Sequence, residues 1–317
     1  MDIYNKMMPT PIKEINIQYT SLQQPVYDCL AYFDIFSYPL RANEVFDFLS
    51  QKADLKTVEN TLSEMIHSGI VTLEGDFYSI AKSDIDISIR QADEKRATAS
   101  LDDAKGYGRK ISSFPFVKGV FISGSLSKGS LKEDGDYDFF LVIKRRRIWI
   151  AKLILKLYKV IILGNSYEYF CINYLISDEN LEIEEKNIFT ATELLTAIPV
   201  AGTEKLFNTL QSTNTWATSY LPNKQWRSYN EHPATKTGMS KVIQTLFDNP
   251  LGSFIDKLIM KITVFRNKIK YKNLFDKSIF NVAFKSTDQV AKVHPGNTQQ
   301  FVLKLHSEKI KEFKCQS

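Results

Sequence analysis

Residues 119–142 read GVFISGSLSKGSLKEDGDYDFFLV, and this stretch decides which fold the rest of the chain can build. The apolar run from Gly119 to Ser123 is typical of a buried strand, and a Gly/Ser turn and a polar loop follow it. A second apolar run extends from Phe139 to Ile143. The sequence therefore predicts two strands joined by a Gly/Ser-rich loop.

Two aspartates, Asp136 and Asp138, lie one residue apart where the second run begins. Side chains two residues apart share one face of a strand, so both carboxylates are expected to point the same way. Paired carboxylates on an apolar surface repel each other and are costly to bury unless a cation lies between them. Oxygen ligands with no His or Cys expected nearby favour Mg²⁺ over zinc. The pair is therefore predicted to bind Mg²⁺.

The turn between the strands has the residues that a phosphate needs. Gly124 allows close approach of the backbone with its N–H donors, and Ser125 adds a hydroxyl. Mg²⁺ held by one or two carboxylates commonly shares its remaining coordination positions with substrate phosphates. The turn and the aspartates are therefore predicted to bind one ligand together.

Gly124-Ser125, a ten-residue spacer and Asp136-x-Asp138 together resemble the signature of the DNA polymerase beta-type nucleotidyltransferase superfamily. The turn sequence Gly-Ser-Leu-Ser-Lys-Gly is similar to the Gly-Ser-x-Ala-Arg-Gly form found in small members. The alternative is a surface loop whose aspartates are simply solvated. Apolar residues on both sides of the aspartate pair argue against that alternative.

The resemblance implies both a fold and a reaction. The fold is a small mixed β-sheet flanked by helices. The reaction is transfer of a nucleoside monophosphate from a nucleoside triphosphate to a hydroxyl acceptor, with release of pyrophosphate and with one or two Mg²⁺ ions. Gly124 and Ser125 would hold the terminal phosphates, with Lys128 and Gly129 beside them. The acceptor stays open, because small-molecule, sugar, protein and RNA acceptors all occur on this fold.

The superfamily usually places a third acidic residue on the next strand, predicted here over residues 167–176. The central polar residue of that segment is Asn173. An Asn side chain can accept a hydrogen bond or bind a metal, but it cannot take a proton at neutral pH. Either the general base lies elsewhere, or turnover is weak or lost. Asn173 is equally well explained as a hydrogen-bonded core residue.

The amino-terminal third shows a second pattern. Residues 1–20 are predicted to form a poorly ordered leader, and residues 21–83 resemble a winged helix-turn-helix domain. Three helical segments start at Gln23, at Arg41 and after the N-capping Asp54, and a hairpin follows around Gly75-Asp76. Residues 84–113 are predicted to form a linking helix, and residues 114–222 the nucleotidyltransferase core.

The third of these helices is the one that would read DNA. Its Lys56 and Asn60 are offset by Asp54, Glu59 and Glu64. That charge balance is poor for binding a phosphate backbone, so an interaction or structural role is favoured over DNA binding.

Residues 223–317 are predicted to form a basic, mainly helical region. From residue 236 onward the chain has 14 Lys and one Arg against six acidic residues, a net charge of +9 in a chain of net charge +5. This region could face a polyanion, a nucleotide or only solvent. Lys285 and Lys292 are candidates for neutralising phosphates, and His294 for shuttling a proton, although a lone His before Pro is often structural.

The segment 148–163 is predicted to form an amphipathic helix in which three lysines share one face. Covering the sheet is the expected role, and lying on a membrane surface is the alternative. The segment is too short and too charged to span a bilayer. The basic run 144–147 before it is interpreted as a cap on the sheet edge, and contact with substrate phosphates is the alternative. Three scattered cysteines and an amino terminus without a signal layout predict a cytoplasmic protein.

The sequence thus predicts an α+β fold and a nucleotidyltransferase whose catalytic residues are Asp136, Asp138 and Asn173. Two other functions stay open. One is a catalytically weak or inactive nucleotide-binding regulator, and the other is a nucleic-acid-binding protein that uses the winged helix.

Overall fold

The computed structural model describes residues 22–164, 169–229, 232–271, 285–292 and 298–316. Within these ranges the chain forms helices, a two-stranded sheet and a mixed five-stranded sheet, so the predicted α+β class is confirmed. None of the described helices is both long and apolar enough to cross a membrane. The finer assignment to a nucleotidyltransferase core and a winged-helix domain stays a prediction.

The amino-terminal elements follow the predicted order. They are α1 (Gln23–Asp34), α2 (Ala42–Phe48), α3 (Leu55–His67), β1 (Val71–Glu74) and β2 (Phe77–Ile80). Asp54 caps α3, because its carboxylate accepts the Thr57 N–H at 2.9 Å. The antiparallel hairpin pairs Glu74 with Phe77 across the predicted turn. The three helices bury a shared apolar core that includes Val26, Leu30, Val58, Leu62 and Met65.

A long helix, α4 (Ile87–Ser112), connects these elements to the large sheet and packs on two of its strands. Arg90 is only 3% exposed, although α4 is largely charged. Its guanidinium lies 3.1 Å from the Glu44 carboxylate and 4.1 Å from the centre of the Tyr38 ring. The charge is buried together with a partner, and it ties α4 to the amino-terminal helices.

The large sheet has the strand order β6-β3-β4-β5-β7. Its strands are β3 (Val117–Ile122), β4 (Asp138–Ile143), β5 (Cys171–Ser177), β6 (Ile198–Ala201) and β7 (Val290–Lys292). Only β4 and β5 are parallel among the described pairs, so the sheet is mixed. The two predicted apolar strands are therefore central neighbours, with Phe121 opposite Phe140.

Both edge strands differ from the sequence prediction. The sequence indicates no strand after residue 176 in the predicted core, but this part of the chain forms α7 (Ile188–Thr196), β6 and α8 (Glu204–Thr213). Pro199 fits because β6 lies at the sheet edge, where a missing N–H is tolerated. Strand β7 comes from the region expected to be mainly helical. The sheet therefore takes strands from both sides of the predicted boundary at residue 222.

The other helices are α5 (Gly124–Ser127), α6 (Ile148–Ile162), α9 (Trp216–Tyr220), α10 (Gly238–Phe247), α11 (Pro250–Tyr271) and α12 (Thr298–Gln316). Helix α12 packs against α1. The rings of Tyr27 and Phe313 stack with centroids 3.7 Å apart, and a ring nitrogen of His306 lies 2.9 Å from the Asp28 carbonyl oxygen. The last helix thus returns to the first.

Helix α6 covers the sheet with only part of its surface. Trp149 and Leu155 are buried, whereas Leu153 and Leu157 are exposed. The basic run before α6 makes contacts within the protein. Lys144 pairs with Asp248, Arg145 with Glu179, and the buried Arg147 donates to Ser253 and to the Asn249 carbonyl oxygen. These contacts favour the structural interpretation of residues 144–147 over phosphate binding.

Candidate functional site

A cavity of about 950 Å³ opens where β4 and β5 begin. Its walls come from the loop after β3, from α7, from the end of α1 and from the start of α12. The structure brings seven of the predicted site residues to this cavity: Gly124, Ser125, Lys128, Asp136, Asp138, Asn173 and Lys292. Residues far apart in the sequence therefore form one site.

Asp136 and Asp138 lie together as predicted, but a third residue joins them. One carboxylate oxygen of each and the sulfur of Cys171 all lie within 4.8 Å of one another. The expectation that no Cys lies nearby is therefore wrong, because Cys171 pairs with Asp138 across the parallel strands. Strand β4 begins at Asp138, so Asp136 reaches the group from the preceding loop and not along a shared strand face.

Cys171 contributes a neutral thiol to this group. Burial, with the nearby charge of Asp138 adding to it, raises the pKa of the thiol well above its ordinary value. The sulfur lies 3.2 Å from the side-chain oxygen of Asn173, to which the S–H can donate. Because a metal prefers a thiolate to a thiol, the oxygen atoms remain the ligands best suited to a cation here.

Burial is the largest cause that raises the pKa of Asp138 to about 7, and the charges of Asp136 and Glu193 add to it. Lys128 acts in the opposite direction. Two carboxylates held this close and partly out of water repel each other, and a divalent cation would relieve that repulsion. The donor set therefore fits Mg²⁺.

Gly124 brings its backbone directly against the Asp138 carboxylate. A Cβ atom at position 124 would lie 2.2 Å from Asp138 Oδ2, and the φ of +67° is one that side-chain-bearing residues rarely adopt. The Ser123 N–H also donates to the Asp138 carbonyl oxygen at 2.9 Å. Only glycine fits here, and the turn predicted to bind phosphate is fixed beside the predicted metal ligand.

Asn173 lies at an irregularity in the pairing of β4 with β5. Phe139 pairs with Ile172 and Phe140 pairs with Tyr174, so Asn173 is the extra residue of a bulge. Its side-chain amide donates to the Asp138 carboxylate. Asn173, which stands where the resemblance expects a third acidic residue, therefore orients Asp138. Because an amide cannot take a proton, this position provides no general base.

Glu193 on α7 was not singled out from the sequence, yet it lies at the centre of the site. Its Oε1 lies 2.7 Å from the Lys128 ammonium, and its Oε2 accepts the Gly124 N–H at 3.2 Å. The Lys128 ammonium also donates to the Gly124 carbonyl oxygen at 2.9 Å. A carboxylate therefore holds the donors that the resemblance assigns to phosphate.

The remaining predicted residues have different outcomes. Lys292 is buried in the cavity wall, where its ammonium donates to Gln299 at 2.6 Å and burial lowers its pKa. Lys285 instead pairs with Glu184 at 2.8 Å and is not part of the cavity wall. Gly129 is exposed and also lies outside the wall. His294 falls outside the described residues, as does the predicted leader of residues 1–20.

The amino-terminal elements reach this site through Tyr38. Its hydroxyl donates to the Lys128 carbonyl oxygen at 2.6 Å and accepts from Arg90 at 2.8 Å. The Asp93 carbonyl on α4 accepts the Leu131 N–H at 3.1 Å on the other side of the loop. The turn predicted to bind phosphate is therefore supported from outside the large sheet.

Comparison of the chain with protein-family models, with curated proteins and with solved structures gave no match. The chemistry of the cavity is therefore the basis of the functional proposal.

Proposed function

We propose that the chain is a cytoplasmic, Mg²⁺-dependent nucleotidyltransferase that moves a nucleoside monophosphate from a nucleoside triphosphate to a hydroxyl acceptor. The contact between Gly124 and Asp138 carries this proposal. It puts a backbone N–H donor for phosphate next to a carboxylate pair suited to Mg²⁺, inside one cavity.

The triphosphate would accept hydrogen bonds from two donors that now donate to the Glu193 carboxylate. The Gly124 N–H and the Lys128 ammonium both point to that carboxylate, and a phosphate oxygen can accept from the same two groups. The exposed Ser125 side chain adds a hydroxyl beside them, and Lys292 adds positive charge in the wall. A volume of about 950 Å³ lies at the upper end of the usual range for ligand pockets.

Asp136 and Asp138 would hold Mg²⁺, which when bound offsets the negative charge of the phosphate oxygens. The amide of Asn173 keeps the Asp138 carboxylate oriented, so that its oxygen atoms stay beside Asp136. Orientation by a second residue is what the ligands of a metal site usually need.

In the proposed reaction the acceptor hydroxyl oxygen forms a bond to the α-phosphorus while the bond to pyrophosphate breaks. The hydroxyl proton must go to a base, and the Asn173 amide cannot take it. Glu193, once a phosphate has displaced it from Gly124, offers a carboxylate in the same cavity. We assign the proton to Glu193 on this basis.

The test measures pyrophosphate release from each of the four ribonucleoside triphosphates with Mg²⁺ and a cell-extract acceptor pool. Wild type is compared with Asp136→Asn, Asp138→Asn and the control Glu133→Gln, which removes an exposed acid of the same loop that lies outside the cavity wall. We expect both site variants to lose at least about 100-fold in rate and the control to retain activity. Site variants with wild-type rates would contradict the proposal.

A nucleotide-binding regulator is the second candidate, because Asn173 stands where the resemblance expects an acid. Metal-dependent nucleotide binding without pyrophosphate release would favour it, and Asn173→Asp is then the variant to examine for gained turnover. The nucleic-acid alternative is weaker. The exposed residues of α3 include Glu59 and Glu64 beside Lys56 and Asn60. The two negatively charged glutamates repel a phosphate backbone.

A further inference from the structure

Helix α11 exposes a continuous apolar stripe. Its six members are 46–67% exposed: Leu251, Phe254, Leu258, Ile262, Phe265 and Ile269. Their spacing of three or four residues places them within an arc of about 80° along the helix. The opposite side of the helix packs inward and buries Gly252, Asp256 and Asn267. Exposed side chains at such regular spacing form a surface feature and not a scatter of single residues.

Two neighbouring helices also expose apolar side chains. Helix α10 exposes Met239, Val242 and Leu246, and helix α6 exposes Leu153, Leu157 and Ile161. Both helices pack against α11. We call the exposed surface of these three helices the α6/α10/α11 face.

Positive charge borders the stripe on both edges. By helical position, Lys257, Lys261 and Lys268 lie along one edge of α11, and Arg266 and Lys270 lie along the other. Asp256 is the only acidic residue in the three helices. It is buried, and its carboxylate accepts the Trp149 and Ile150 N–H groups at 2.9 and 2.8 Å. The charge that the three helices show to solvent is therefore entirely basic.

Basic groups of α6 lie close to those of α11. Burial lowers the pKa of Lys152 to about 8, and the charges of Lys156 and Arg266 add to this effect. The Lys152 ammonium lies 5.0 Å from the Trp149 ring and has no hydrogen-bond partner among the described residues. The cations of the two helices thus repel each other, and a nearby anionic surface would relieve that repulsion.

We propose that the α6/α10/α11 face binds an anionic membrane surface, with the apolar stripe in the interface and the basic residues at the lipid headgroups. An apolar stripe with Phe and Leu, edged by Lys and Arg, is the pattern of helices that lie in the plane of a membrane. This inference does not depend on the proposed nucleotidyl transfer.

Other occupants fit this face less well. A second copy of the chain would bring one basic border against another, which is unfavourable. A partner helix binds best in an apolar groove, whereas Phe254 and Phe265 are 65% and 67% exposed and stand out as a ridge. A ridge of aromatic and aliphatic side chains suits insertion among lipid headgroups.

The test is co-flotation of the full chain with vesicles. Phosphatidylcholine vesicles with and without about 30% phosphatidylserine are compared at about 50 mM and 500 mM salt. We expect binding to the anionic vesicles that high salt weakens. Phe254→Ser/Phe265→Ser and, separately, Lys257→Glu/Lys261→Glu are each expected to lower the bound fraction at least about tenfold.

Matched controls change exposed residues elsewhere, namely Leu73→Ser and Lys56→Glu/Lys95→Glu, and are expected to bind as wild type. Circular dichroism confirms that each protein is folded, and the lysine variant keeps the test decisive if the serine variant unfolds. Absent binding, equal binding to neutral vesicles, or retained binding in a folded variant overturns the proposal. A dimer in light scattering that Phe254→Ser/Phe265→Ser dissociates also overturns it, because the face then belongs to a second copy.

Discussion

Glu193 and Lys128 form an ion pair in the candidate site, with Oε1 2.7 Å from the lysine ammonium. The other carboxylate oxygen accepts the Gly124 N–H. The two donors expected to bind phosphate are thus already satisfied. A nucleotide that binds as proposed would have to exchange with an internal carboxylate, so the net gain in binding free energy would be smaller than the new contacts alone would give.

Replacing this carboxylate should therefore strengthen nucleotide binding. Glu193→Gln keeps the shape of the side chain but removes the charge that pairs with Lys128. We expect the Kd for a triphosphate with Mg²⁺ to fall about three- to tenfold by calorimetry, while pyrophosphate release falls if Glu193 takes the proton. Glu184→Gln, which removes an exposed carboxylate paired with Lys285, serves as the control. Weaker nucleotide binding in Glu193→Gln would show that the carboxylate organises the site and does not compete for it.

Gly124→Ala should damage the site far more than Gly129→Ala. Both glycines have a positive φ, +67° and +77°, so both substitutions strain the backbone by about 1–2 kcal/mol. Only position 124 adds a clash, because the new methyl would meet the Asp138 carboxylate. We expect Gly124→Ala to lose Mg²⁺-dependent nucleotide binding and Gly129→Ala to retain it. Equal behaviour of the two variants in calorimetry and urea unfolding would contradict the close contact.

The raised pKa of Asp138 predicts a pH dependence of stability. The unfolded carboxyl has its ordinary pKa of 3.8, and the folded one has a pKa of about 7. Between these values the folded state retains a proton that the unfolded state releases, so the free energy of unfolding falls as pH rises from about 4 to 7. The Asp138→Asn variant lacks this contribution.

Without metal, raising the pH from 5 to 8 should therefore lower the free energy of unfolding of the wild type relative to that of Asp138→Asn by about 1–3 kcal/mol. Urea unfolding at both pH values measures the difference, with Glu133→Gln as the control. Mg²⁺ should restore the free energy of unfolding of the wild type at pH 8 and leave that of the variant unchanged. A pH-independent difference between the two proteins would contradict the raised pKa.

Tyr38→Phe tests the link from the amino-terminal elements to the turn predicted to bind phosphate. The change removes a hydroxyl that donates to Lys128 and accepts from Arg90, and it leaves both partners poorly satisfied. We expect a loss of about 1–3 kcal/mol in the free energy of unfolding, together with weaker nucleotide binding. Tyr78→Phe is the control. A loss of stability with unchanged nucleotide affinity would show that Tyr38 stabilises the fold and does not support nucleotide binding.

Local patterns explain why much of the fold could be predicted from the sequence. The Asp54 cap, the Gly75-Asp76 turn and the two central apolar strands depend on residues close together in the chain. The group of Gly124, Asp136 and Asp138 could also be placed, because one turn and one loop bring these residues together. Their contact is a consequence of strand pairing between consecutive elements.

The parts that could not be predicted depend on distant pairing. Cys171 joins the aspartates only because β5 pairs in parallel with β4, and Glu193 reaches Lys128 from 65 residues away. Strand β7 has three residues, too few to show an alternating pattern. For Glu193 the sequence offered one weak signal, a single acid among the apolar residues of α7.

Strand β7 and helix α12 have a consequence for protein synthesis. The turn at Gly124 and the aspartates leave the ribosome more than 150 residues before Lys292 and Gln299, which complete the cavity wall. Phe313, against which Tyr27 of helix α1 stacks, is synthesised later still. A nascent chain therefore contains the turn predicted to bind phosphate long before it has an enclosed cavity, and helix α1 stays partly uncovered until α12 has been synthesised.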